Sequence, residues 1–352
     1  MDLHIAAGGS VSFRKDVQSR TGIYKIMKQK IVTLGGGTGS LMILTGLRDY
    51  SDIDVATVLA MADDGGSTGR MREEYGMPSF GGDFRDALVG LAENEALAKV
   101  FMHRFEKGKD LKGHSVGNII LLGLFEATKG DIPEALRIAH QILRVRGEVY
   151  PSTTESITLG CEYDDGTILE SQHEIDNLPL MNGHKVTRAY LKPTPKAYDK
   201  ALAALRSADK IVLGPGDIYS NIVANLLVEG ITDAIKESNA EIIYVCNLMT
   251  KFNQTHGWRA SNFVNEVQKY LGTEIDHVIV NNSPLPQDIN QKYQDEKWEM
   301  VLDDLADTDA YNVIRDKLWL EGHEFKRVSS DVVPRSFIRH DPAKIAEIIS
   351  KL

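Results

Sequence analysis

Leu34-Gly35-Gly36-Gly37-Thr38-Gly39-Ser40 follows the apolar run Ile31-Val32-Thr33 and leads into Leu41-Met42-Ile43-Leu44. A strand that turns through glycines into a helix leaves backbone N–H groups converging on one point, where the helix dipole favours negative charge. Gly36, Gly37, Thr38 and Gly39 therefore form a candidate phosphate turn. Three adjacent glycines alone are equally a flexible turn, so the context decides. A second strand-like run, Asp54 to Met61, ends at Asp63 and Asp64, where a dinucleotide-binding unit keeps a carboxylate for a ribose hydroxyl. These acids open a second glycine loop in which Gly65, Gly66 and Ser67 precede Arg70. A plain dinucleotide enzyme has no need of that loop, so the site is expected to bind more than a standard cofactor.

Four further clusters of glycine and polar residues fall where strands should end, the ligand-binding edge of open α/β sheets. Asp83 and Arg85 follow Gly81-Gly82 on the opening turn of a helix. One reading makes Arg85 a bidentate phosphate ligand; the other makes Asp83 an N-cap beside a surface arginine. The stretch from Gly113 to Asn118 gathers His114, Ser115 and Asn118 ahead of an apolar helix, and a histidine between two glycines in such a turn points to ligand contact. Gly214-Pro215-Gly216 ends another strand, with glycines that admit close backbone approach. Asn247, after Tyr244-Val245-Cys246, offers an amide to a base or sugar, or else stabilises its own turn. Asp63, Asp64 and Asp83 have the oxygen donors to hold magnesium against phosphate. No Ser-His-Asp signature, Walker lysine or partnered cysteine is visible, so these groups read as positioning and electrostatic rather than nucleophilic.

The elements needed to position them alternate strand and helix from Lys30 to about Gly147, the pattern of an α/β fold with a parallel sheet and helical crossovers. Helices are expected over Phe84 to Leu97 and Asn118 to Thr128, with another capped by Asp131 ahead of Pro133. From Thr153 to about Leu191 the period becomes two, and Asp164-Asp165-Gly166-Thr167 separates two alternating runs, which predicts a small antiparallel insertion over 153–191. Alternation then resumes with Tyr198 to Ser207, Lys210 to Leu213, Asn221 to Leu227, Glu241 to Cys246, Ala260 to Leu271 and His277 to Asn281. The insertion is thus expected to decorate one continuous domain over 30–352. The acidic stretch from Asp303 to Asp309 lacks the glycine and terminal glutamate of a calcium hand and reads as a solvated loop.

A chain of 352 residues, 42% of them hydrophobic, is long enough for one large α/β core. A net charge of −10 argues against a nucleic-acid binder, so any anionic ligand must meet a local cationic site. Two cysteines, Cys161 and Cys246, argue against a disulfide framework or structural zinc and suit a reducing cytoplasm. No apolar run approaches the roughly 18 residues of a membrane helix, so membrane insertion is not expected. Residues 1–29 are polar, lack a secretory core and read as a disordered extension, with Met27 an alternative start.

In order, GGGTGS, MADDGGSTGRMREEYG, GGDFRDALVGLAE, GHSVGN, VRGEVYPST, VLGPGDIY and YVCNLMT resemble the motif set of the YvcK branch of the CofD-like superfamily, often called gluconeogenesis factors. The resemblance runs from about Lys30 to the C-terminus. It implies a Rossmann-like α/β fold with helices on both faces of a mainly parallel sheet, in a cytoplasmic protein. It also implies a nucleotide or nucleotide-sugar ligand, usually UDP-N-acetylglucosamine; NAD and GDP stand beside it as alternatives, and from the residues themselves Asp64 and Asp83 are the expected magnesium ligands. The implied role coordinates carbon metabolism with cell-wall synthesis and cell shape, with room for regulatory protein partners; a homodimer is the commonest assembly for such a chain. The glycines, aspartates, Thr38, Ser67, Arg70, Arg85, His114, Ser115, Asn118 and Asn247 named above match motif positions expected to line the cleft.

The superfamily's other branch transfers 2-phospho-L-lactate onto a deazaflavin precursor and carries Thr-Gly-Asp-Asp after its second strand. Met61-Ala62-Asp63-Asp64 stands here instead, which places this chain with the regulators and leaves a magnesium-dependent transferase as the alternative. Four positions depart from the regulator pattern: Phe80-Gly81 replaces a proline pair, Asp86 an asparagine and Asp217 a serine. An added carboxylate beside a phosphate site repels an anion unless a metal intervenes.

Overall fold

The computed structural model describes residues 28–177, 184–295, 297–307, 310–321 and 336–352. The extension expected over 1–29 falls almost wholly outside them, although Gln29 already belongs to the first strand. In chain order the strands are β1 (Gln29–Gly35), β2 (Ile53–Leu59), β3 (Glu148–Pro151), β4 (Thr158–Tyr163) and β5 (Ile168–Leu169). They continue with β6 (Val186–Lys192), β7 (Lys210–Leu213), β8 (Glu241–Val245), β9 (His277–Asn281) and β10 (Asn312–Asp316).

Seven strands form one parallel sheet in the order β10-β9-β8-β7-β1-β2-β3. Its central strands are buried runs, with Ile31 and Leu34 of β1 and Ile211, Val212 and Leu213 of β7 fully inaccessible, as a sheet covered on both faces requires. The chain steps outward from β1 to β3, then returns to β7 on the other side of β1 and steps outward again to β10. The reversal between β1 and β7 is a topological switch point, where two consecutive crossovers leave in opposite directions and open a crevice at the carboxyl ends of the strands.

Helix Gly37–Leu47 packs its buried Ile43, Leu44 and Leu47 beneath helix Gly82–Gly90 and the C-terminal helix Pro342–Lys351. Gly46 lies where a Cβ would strike the Pro342 carbonyl, so these two helices approach to backbone contact. A second, antiparallel sheet runs β5-β4-β6 and forms the expected insertion. Its hairpin turns at Gly166, where φ is 86°, and the Asp165 carboxylate accepts from the Thr167 N–H at 2.9 Å.

Asp131 caps helix Ile132–Leu143 as its sequence predicts, accepting from the Glu134 N–H at 3.0 Å. The single helix expected from Phe84 to Leu97 is instead two, Gly82–Gly90 and Glu95–Met102. The break is tertiary in origin: Glu93 and Asn94 turn their N–H groups to the Arg144 and Leu143 carbonyls, and the Asn94 side chain caps the second helix through Leu97. The helix expected at Asn221 begins as a π-helical turn, Ile218–Val223, before continuing through Ala224–Leu226. Over its described residues, Asp303 to Asp307, the acidic stretch is a loop, yet not an idle one, since Asp303 and Asp307 grip Arg315 and Asp304 binds Ser261. Cys161 and Cys246 are buried and unbridged. Among the described residues no helix is long and apolar enough to cross a membrane.

Candidate functional site

The turns after β1 and β7 meet at the switch point. Gly37 and Gly214 adopt φ of 59° and 72°, the left-handed region that favours glycine, and a Cβ on Gly39 would run into the Pro215 carbonyl. Over them opens a cleft of about 850 Å³, toward the upper end of the roughly 300–1,000 Å³ typical of small-molecule sites. The first turn lines it in full, Gly36 to Gly39, and from the second loop so do Asp63, Asp64, Gly65, Gly66, Ser67 and Arg70. Asp83, Arg85, Asn118, Gly216 and Asn247 also reach it. His114, Ser115 and Gly214 stand one contact back, His114 on Ser67, Ser115 on Arg85, and Gly214 on the Leu34 carbonyl.

The acids divide the work. The Asp83 carboxylate accepts the Gly37 N–H at 2.9 Å, so the leading amide of the first turn is already held by a neighbouring helix. Asp63 accepts the Gly65 N–H at 3.0 Å. Burial lifts both carboxyls above the usual range, and for Asp83 the charge of Asp63 adds to the lift. Asp64 faces the other way, accepting from the backbone N–H groups of Gln172 and His173 at 3.2 and 2.8 Å. It thereby caps the short helix Gln172–Asn177 and fastens the insertion to the cleft edge. Asp63, Asp64 and Asp83 thus each spend at least one carboxylate oxygen on a backbone amide. A cluster with metal-ligand spacing also occurs at Asp164, Asp165 and His184, exposed on the hairpin and outside the cleft lining.

Arg85 is 2% exposed, which overturns the reading of a surface arginine; Asp83 does not cap its own helix, which overturns the other half of that reading. The guanidinium donates to Asp86 through Nε and Nη2 at 3.0 and 2.6 Å. Its Nη1 reaches Ser115 Oγ at 2.9 Å and Asn118 Oδ1 at 3.0 Å. Asn118, oriented in this way, donates Nδ2 to Ser67 Oγ at 3.0 Å. Ser67 Oγ and His114 Nδ1 share a hydrogen bond at 2.8 Å. Burial first, then Arg70 and Arg104, hold His114 down to about 4, so its imidazole is neutral near pH 7.

The two added carboxylates have local partners. Asp86 is the counter-ion of Arg85, and Asp217 is bound by Lys251 Nζ, which also lies 3.5 Å from Asp176. Asn247 donates Nδ2 to the Gly216 carbonyl at 2.8 Å, tying its turn to the neighbouring glycine loop. Phe80, in place of a proline, packs its ring 5.2 Å from that of Phe84.

Sequence reasoning missed Lys251, the cleft-lining Lys109 and Lys112, and Asn221. The two lysines belong to the cation-rich run Lys107-Gly108-Lys109-Asp110-Leu111-Lys112 just ahead of His114, a signal that charge density alone offered. Lys251 follows Asn247 by four residues in the same loop, and Asn221 lies two residues beyond the end of the VLGPGDIY motif.

The family described as "2-phospho-L-lactate transferase CofD" matches residues 31–319. The chain is 38% identical to the gluconeogenesis factor of Halalkalibacterium halodurans, over 92% of this chain and 96% of that protein. It is 35% identical to the gluconeogenesis factor of Bacillus subtilis, over 92% of this chain and 98% of that one. A crystal structure of a Bacillus halodurans protein matches with a TM-score of 0.82 at 36% identity, covering 92% of this chain and 99% of the other. With the motif order, the switch-point cleft and these likenesses in agreement, the chain belongs to the CofD family, on the branch that holds the gluconeogenesis factors.

Proposed function

We propose that this protein binds a nucleotide-sugar of the UDP-N-acetylglucosamine type in the switch-point cleft and acts as a cytoplasmic regulator, linking gluconeogenic growth to cell-wall synthesis and cell shape. The observation that carries the reading is the convergence in one polar cleft of two glycine-loop helix starts, the carboxyls of Asp63, Asp64 and Asp83, and the cations Arg70, Lys109 and Lys112. On a chain of net charge −10, that local cationic rim is what an anionic diphosphate needs. The regulatory role rests on the relatives named gluconeogenesis factor. A bacterium stripped of its own gluconeogenesis factor should regain growth and normal shape on a gluconeogenic carbon source when supplied with this chain. Absence of rescue at wild-type protein levels would defeat the role.

A second reading, a phosphoryl-type transferase on a deazaflavin acceptor, draws on the family description and on the Asp63 and Asp83 pair. Magnesium bound there would neutralise charge on a diphosphonucleoside donor. This reading predicts magnesium-dependent product from a lactyl-diphosphonucleoside, abolished in Asp83→Asn with the fold retained. No product from the wild-type chain with donor, acceptor and magnesium all present would dismiss it.

A further inference from the structure

We propose that the outer face of helix Val116–Ala127 is an interface between two copies of this chain, paired about a two-fold axis at Gly123. The helix carries one charged residue in its 12, Glu126, yet of its large apolar side chains only Leu121 is buried. Ile119, Ile120, Leu122, Leu124 and Phe125 are only half-buried against the core. A helix this apolar on every side belongs in an interior, and an uncovered apolar patch on a folded chain marks an interaction surface. Gly123 is exposed midway along it, and a Cβ there would meet nothing within 4 Å. The two helices packed beside it also leave apolar side chains in the open, with Val100 of Glu95–Met102 48% exposed and Ile142 of Ile132–Leu143 37% exposed. This inference does not depend on what the cleft binds.

The charges around this face select a second copy as its occupant. Helix Glu95–Met102 ends against the start of Val116–Ala127, where the His103 carbonyl accepts the Val116 N–H at 2.9 Å. Lys99, exposed one turn before His103, therefore flanks the N-terminal half of the face, while exposed Glu126 marks the C-terminal half. A two-fold axis through Gly123, perpendicular to the helix, runs the two helices antiparallel and sets Glu126 of one copy beside Lys99 of the other, twice per dimer. The face then complements itself in shape and charge, as an isologous interface must. A glycine at the crossing lets the two helix axes come close, and the nearly uncharged centre spares two chains of net charge −10 a repulsion at contact.

Sedimentation velocity of the full chain over a concentration series decides the matter, with Gly123→Gln, Lys99→Glu, Glu126→Lys and the double charge reversal beside the wild type. The wild type should sediment as a dimer at tens of micromolar. Gly123→Gln places a side chain where the second helix crosses and should weaken the dimer at least about tenfold. Its far-ultraviolet circular dichroism should match the wild type, because an exposed helix-interior glycine is the poorer helix former. Each single charge reversal should weaken the dimer by roughly fivefold at low salt, and the double reversal should restore it. That restoration reads the pairing itself and holds whether or not Gly123→Gln folds. A wild type that stays monomeric at tens of micromolar, a dimer that survives Gly123→Gln, or a double reversal no tighter than either single variant would each overturn the proposal.

Discussion

Arg85 and Asp86 hold each other with side chains only 3% and 4% exposed, and the same guanidinium orients Ser115 and Asn118. Taking away one member of a buried pair leaves the other charged in a place that cannot solvate it, at about 3–5 kcal/mol. Arg85→Met should therefore lower the unfolding free energy by that amount and the denaturant midpoint with it, and Arg85→Lys should not restore it, since a point ammonium cannot reach three partners in one plane. A midpoint unchanged in Arg85→Met would contradict the network. At this scale the sequence showed which residue types gather at strand ends, because glycine turns and caps are local signals. It did not show their pairings. Ser67 meets His114 across 47 positions and Lys251 meets Asp217 across 34, so the neutralisation of Asp217, unlike that of Asp86 by the adjacent Arg85, is a tertiary fact.

Two glycine turns and one carboxylate clip fix how the elements meet around the cleft. Gly39→Ala would push a methyl group into the Pro215 carbonyl, and since backbone cannot rotate aside, the loops after β1 and β7 must part. A loss of about 1–3 kcal/mol is expected for such overpacking, read as a lower melting temperature; a variant as stable as the wild type would show that the loops are not in contact. Asp64→Ala removes the acceptor for the Gln172 and His173 amides, a capping loss of about 0.5–2 kcal/mol. Hydrogen exchange should then quicken over Gln172–Asn177 while β1 and β7 keep their protection, and unchanged exchange in that helix would refute the clip. Strong periodicity made Ala260–Leu271 and β9 legible to the residue. Strand β10 and the helix Pro342–Lys351 went unread: the five residues of β10 are half polar at a sheet edge, and no local signal says that they pair with β9. The split of the Phe84 to Leu97 segment likewise comes from bonds to residues about 50 positions away, beyond the reach of helix propensity.

Across the whole molecule the order of strands makes the site, because only the return of the chain from β3 to β7 brings the Gly36 and Gly214 turns side by side. Alternating strand and helix made the class of fold readable, but the direction of each crossover was not. Buried histidines give the molecule a pH signature. His114, His140 and His340 are each held down to about 4, chiefly by burial. Each is neutral when folded but takes a proton in the unfolded chain below its ordinary 6.5, so it contributes stability in full above that pH and loses it as the pH falls toward about 4. Asp176, lifted to about 6 by burial, runs the opposite way: its contribution is full below 3.8 and is lost as the pH rises through about 6. His340→Gln, which can still bond the Cys246 carbonyl, should narrow the stability difference between neutral and acid pH, and an unaltered difference would contradict the assignment. The claim that the cleft is a nucleotide-sugar site is tested most directly by calorimetric titration of the full chain with UDP-N-acetylglucosamine, with and without magnesium, beside GDP and NAD. Saturable one-site binding that favours the UDP-sugar is the predicted result; preference for GDP with magnesium, or no heat from any nucleotide at high micromolar concentration, would contradict it.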